Sequence, residues 1–212
     1  MEFVELVKII GEEPVFETGL LVAGNANPRD IRRQLSRWRQ VGKIYQLRRG
    51  LYSLAPPFQK INPHPFLVAN RMLPASYVSL QSSLAYFGMI PEYVPVTTSV
   101  TTRRTARWET PLGIFSFRHI QEDFFDGYRL EDIGEGQQAF IARPEKALLD
   151  LIYLEAGGDT LDYLSELRLS NLSQLDWHLL RHMAERSEKP KLLRAVARIQ
   201  KLAGIEEEFE SL

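Results

Sequence analysis

The chain has 212 residues, 44% hydrophobic and 25% charged, with a formal net charge of −1, the balance of a globular protein able to bury a core as one large domain or two small ones. It contains no cysteine, which excludes disulfides and thiolate metal sites. No run approaches the ~18 apolar residues of a membrane span, and the start "MEFVELVKIIGEE" lacks the basic flank and unbroken apolar core of a signal peptide, so a cytoplasmic protein is expected.

Residues 1–24 read as two short helices. Phe3, Leu6, Val7 and Ile10 take the three-and-four spacing of one helical face, and Phe16, Gly19, Leu20 and Ala23 repeat it after Gly11 and Pro14, with Gly24 ending the second helix. A third helix follows. Asn27 suits its cap, Pro28 its first position and Asp30 its positive end, and Gly42 stops it after about Val41. Ile31, Leu35, Trp38 and Val41 fall on its inward side. "KIYQL" and "LYSL" then read as two strands of a hairpin turning at Gly50. Three helices and a hairpin make the plan of a winged helix-turn-helix. The predicted architecture is α+β: this unit over residues 1–57, then a larger mixed α+β domain over 58–212 that ends in helices, with "INPHP" as linker.

In the second part, "PFLVANRML" and "SLQSSLAYFG" read as helices and "VPVTTSVTT" as a strand. "GIFSFRHI" alternates, with Ile114, Ser116 and Arg118 opposite Phe115, Phe117 and His119, and "RRTARWETP" is expected to be the hairpin loop joining these two strands. "YRL" and "QQAFIA" supply further strands. Helices follow Pro144, broken at Gly157–Gly158 and at Pro190.

Between Arg29 and Arg49 lie seven arginines and Lys43 against the single acid Asp30, so this stretch carries +7 and the rest of the chain −8. At about 100° per residue, Arg29, Arg33, Ser36, Arg37 and Gln40 cluster opposite Ile31, Leu35 and Trp38, with Arg32 and Arg39 on the flanks. A solvated helix face would carry many charges too, but such faces mix signs, because like charges four residues apart repel. Arg29 with Arg33 and Arg33 with Arg37 are like-charged pairs with no acid on that face to relieve them. An arginine can read guanine bidentately and a glutamine adenine, while Lys43, Arg48 and Arg49 near the hairpin suit phosphates. Double-stranded DNA is the expected partner; a basic face for an acidic protein is the rival.

Other clusters read as structural. His178 and His182 are four apart, but Leu179 stands where a zinc-protease helix needs glutamate. Ser79, Ser82 and Ser83 lack the glycines of a nucleophile elbow, and Ser79 reads as a helix cap. "GEGQQ" is no phosphate loop. Asp123, Asp126, Glu131 and Asp132 fit turns better than a metal. Arg103, Arg104 and Arg107 are expected on an exposed loop. No cofactor, metal or catalytic group is expected.

Three stretches together resemble the AbiEi family of antitoxins from bacterial abortive-infection toxin–antitoxin systems: the basic helix and hairpin ending "LRRGLYSL"; "YVSLQSSLAYFGMIPEYVPVTTSVTTRR" followed by "TPLGIFSFRHI"; and "ARPEKALLDLIYL". The resemblance covers most of residues 28–154. It implies a winged helix that binds inverted repeats at the promoter of its own two-gene operon, and a C-terminal domain that counters a toxin of nucleotidyltransferase fold without a stable complex. The DNA role then falls to Arg29, Arg32, Arg33, Ser36, Arg37 and Gln40, with Lys43, Arg48 and Arg49 at the wing. One departure is "NANP", where the family pattern would open the helix with Ser or Thr. The resulting expectation is a non-enzymatic antitoxin and autorepressor, monomeric in solution. The alternatives are a stand-alone winged-helix regulator sensing a ligand or partner, and a nuclease- or transferase-like enzyme, which the missing carboxylate and metal patterns disfavour.

Overall fold

The computed structural model describes residues 1–22 and 27–210 and is a mixed α+β structure with two sheets. The first part of the chain gives α1 (Phe3–Ile10), β1 (Phe16–Glu17), α2 (Thr18–Val22), α3 (Pro28–Gln40), β2 (Ile44–Arg48) and β3 (Leu51–Leu54). These three strands form an antiparallel sheet in the order β1-β3-β2. Phe3, Leu6, Ile10, Phe16, Leu21, Ile31, Leu35, Ile44 and Leu54 bury one core between the helices and this sheet.

Two expectations for this region need correction. Phe16 is in a strand, because it pairs with Tyr52 of β3. The second helix therefore starts later, at Thr18, and its phase moves: Leu21 is buried while Leu20 is exposed. Val41 is also exposed, since the helix has ended by then and the residue serves as its C-cap. The expected end at Gly24 lies outside the described residues, as does Ala23.

The second sheet has six strands. Its elements, with the helices around them, are α4 (Pro65–Met72), β4 (Ser76–Val78), α5 (Leu80–Tyr86), β5 (Val96–Thr101), β6 (Ala106–Thr110), β7 (Gly113–His119), β8 (Tyr128–Asp132), β9 (Gln138–Ala142), α6 (Pro144–Leu154), α7 (Leu161–Glu166), α8 (Trp177–Arg186) and α9 (Pro190–Glu210). The strand order is β6-β7-β5-β4-β9-β8. The segment read as a hairpin loop between β5 and β7 is largely the strand β6. β5 and β7 are parallel neighbours, which a short hairpin cannot join. β6 forms because Trp108 packs edge-on against Phe117, at 5.2 Å between ring centroids, while Arg107 and Glu109 point out. The composition of the stretch is loop-like; its alternation is that of a strand.

The sheet separates two cores. On one face Tyr77, Val100 and Ala142 pack with α5, α6, α8 and α9. On the other, Val78, Phe115, Phe117, Ala139 and Ile141 pack with Val68, Ala69 and Met72 of α4 and with Val15, Leu47 and Leu51 of the N-terminal part. This second core spans both parts of the chain. The expected linker is also tied down: buried Gln137 accepts from the His64 backbone N–H at 2.8 Å and donates to the Asn62 carbonyl at 3.0 Å.

Candidate nucleic-acid interface

The start of α3 follows from its first residues. Asn27 is extended and its side chain accepts from the Arg29 N–H at 2.9 Å, Pro28 occupies the first turn, and Asp30 lies near the positive end of the helix. At the other end Gly42, with φ +70°, takes a left-handed turn that leads into β2. Ile31 and Leu35 anchor the helix in the core, and Trp38 meets the Phe3 ring edge-on at 5.5 Å. Arg29, Arg32, Arg33, Ser36, Arg37 and Gln40 are all exposed. Among the described residues none of these four arginines joins a salt bridge. The face is thus a row of like charges whose mutual repulsion nothing described here relieves.

The other basic residues are differently placed. Arg39 is exposed but donates to the Gln46 side chain at 2.5 Å, bracing α3 against β2. Lys43 is half-buried, with its ammonium 4.7 Å from the centre of the Phe3 ring. Arg48 donates to the carbonyls of Arg49 at 3.1 Å and Arg71 at 3.3 Å, and lies 3.6 Å from the Glu17 carboxylate. Arg49, at the turn, is exposed. The hairpin residues expected to form one group of phosphate contacts are therefore divided: Arg49 faces solvent, whereas Lys43 and Arg48 are engaged within the fold.

His178 and His182 lie on the exposed side of α8. Asp126 pairs with Arg186, Glu131 with Arg129, and Arg107 with Glu109 at 3.7 Å. No helix among the described residues is long and apolar enough to cross a membrane.

Sequence reasoning missed one polar cluster. Asp150 is fully buried and accepts from Lys146 at 2.5 Å, Ser79 at 2.7 Å and Tyr77 at 3.1 Å. Ser79 stands at the cap position of α5, yet its hydroxyl goes to Asp150 and caps nothing. The Lys146 ammonium also lies 3.4 Å from the centre of the Phe124 ring. Burial pushes the Asp150 carboxyl up and the Lys146 ammonium down, and each charge partly restores the other; burial and Asp150 together hold the Tyr77 hydroxyl protonated. A lysine and an aspartate four apart inside the apolar run "PEKALLDLIYL" were the available signal. α6 is buried on nearly every side, so neither charge can reach water.

In comparisons with known proteins, the chain matches no family model and no curated protein.

Proposed function

We propose that α1 to β3 form a winged helix-turn-helix and that the chain is a DNA-binding antitoxin of a bacterial toxin–antitoxin system that represses its own operon. The observation that carries this reading is the outward face of α3: Arg29, Arg32, Arg33 and Arg37, with Ser36 and Gln40, exposed and without salt-bridge partners among the described residues. Phosphates would relieve the repulsion along this row, and association would release condensed counterions. The element order with the strand order β1-β3-β2 supports it, since α3 then precedes a hairpin whose turn carries the exposed Arg49. Arg33, Ser36, Arg37 and Gln40 supply donors of the kind that read base edges, and Arg49 holds the backbone. The chain itself performs no catalysis in this reading; its larger part counters a nucleotidyltransferase-like toxin, and the promoter is silenced by occupancy.

A salt titration tests the DNA half. Replacing Arg33 and Arg37 by Ala should weaken binding to a duplex taken from upstream of the protein's own gene and lower the salt slope by about two. An unchanged slope removes the face from consideration. The antitoxin half is tested by co-expression with the product of the adjacent gene, where growth must be rescued.

A second reading is favoured by one feature, a cleft of about 610 Å³ between the N-terminal part and β8–β9, lined by Glu13, Glu17, Leu67, Asn70, Arg71 and Phe140 among others. It suits a stand-alone regulator that senses a small molecule. Absence of a toxin gene beside this one would select that alternative.

A further inference from the structure

Arg48 ends β2, one residue before the exposed Arg49, and the turn is held by the Thr18 N–H donating to the Gly50 carbonyl at 2.9 Å. Its guanidinium meets Glu17 of the neighbouring strand β1 and reaches across to the second part of the chain, to the Arg71 carbonyl in the last turn of α4. Nη1 donates to the neighbouring Arg49 carbonyl at 3.1 Å, while the Nη2 contacts to Glu17 and Arg71, at 3.6 and 3.3 Å, are long beside the ~2.7–2.9 Å of a strong charge-assisted hydrogen bond. The Nε–H is buried and has no acceptor among the described residues. One edge of the planar fork, Nε with one terminal nitrogen, is therefore poorly satisfied. Phosphate oxygens accept from a guanidinium in two parallel bonds along one edge.

We propose that Arg48 is a clasp opened by DNA: it swings from Glu17 and the Arg71 carbonyl to a backbone phosphate beside Arg49, so that hairpin–α4 contact and phosphate binding compete for one side chain. This rests on the DNA-binding reading above. The competition makes Glu17 an antagonist of binding although it need not approach the DNA. By linkage, whatever loosens the clasp tightens the complex, and DNA in turn loosens the hold of the hairpin on α4. Both acceptor residues, Glu17 and Arg71, also line the cleft of about 610 Å³.

The test uses the full chain, a duplex from upstream of its own gene and a scrambled duplex of equal length, titrated from about 50 to 200 mM salt. Glu17→Gln and Glu17→Ala should each tighten binding about two- to fivefold, the range set by an exposed ion pair. Arg48→Ala should lower the salt slope by about one, and adding Glu17→Gln to it should change nothing further. A merely structural role for Glu17 predicts equal or weaker binding, so either outcome overturns the clasp; thermal melts of each variant establish that the fold is kept. If Arg33→Ala and Arg37→Ala weaken binding while Glu17→Gln does not strengthen it, the clasp alone fails. If the wild-type chain shows no salt-dependent binding to either duplex, the DNA reading fails and the clasp with it.

Discussion

Ser79 and Asp150, 71 positions apart in the chain, are joined by a hydrogen bond of 2.7 Å from the Ser79 hydroxyl to the Asp150 carboxylate. Ser79 follows β4 in the middle of the six-stranded sheet and Asp150 lies on α6, so the bond straps helix to sheet. Lys146 holds the other carboxylate oxygen, and both side chains of the ion pair are fully buried. Asp150→Ala would leave the Lys146 ammonium buried without a counter-ion. A loss of about 3–5 kcal/mol in urea-monitored stability is expected, whereas Asp150→Leu and Lys146→Met combined with Tyr77→Phe and Ser79→Ala should recover most of it, because the apolar pair escapes the desolvation cost and no buried hydroxyl is left without its acceptor.

The core shared by Leu47, Leu51, Val68, Ala69, Met72, Phe115 and Phe117 makes the two parts of the chain interdependent. Calorimetry should show one unfolding transition spanning both. Leu51→Ala, at a fully buried position, should cost about 2–5 kcal/mol. A fragment starting at residue 58 should bind a hydrophobic dye, since it uncovers Val68, Ala69 and Met72.

Gln137 fixes the 61–64 segment from both ends of its amide. Gln137→Leu should destabilise the protein by about 1–3 kcal/mol, because the His64 N–H and Asn62 carbonyl lose their partner. Denaturation at neutral pH measures this loss. Faster hydrogen exchange at His64 should accompany it.

His64 caps α4 through Nδ1, which accepts from the Phe66 N–H at 3.1 Å, and partial burial holds its pKa below the usual histidine value of 6.5. Because the folded-state pKa is lowered, the unfolded chain binds the proton more readily. The stability contributed is present above the unfolded-state value and is lost as pH falls through the folded-state value. His64→Asn, which caps without titrating, should flatten the wild-type loss of stability across that range, and an NMR titration of the imidazole should give a midpoint below 6.5.

Local sequence by itself determined α3, its cap at Asn27, the turn at Gly42 that follows it and, Val41 apart, the division of its residues between core and solvent, because helix phase and capping depend on residues within one or two turns. It likewise determined the hairpin and the strands β5, β7, β8 and β9. What only the tertiary structure decided are relations between distant residues. Phe16 is a strand residue because β3 lies beside it, and β6 exists because β7 offers a paired edge and Phe117 a surface for Trp108. The same holds within the basic segment. Its charges are equal in the sequence, yet Arg29, Arg32, Arg33, Arg37 and Arg49 face water, while Arg39, Lys43 and Arg48 are drawn to Gln46, Phe3 and Glu17. A long cationic side chain goes to whichever acceptor or ring the fold brings within its reach, and no local pattern encodes that.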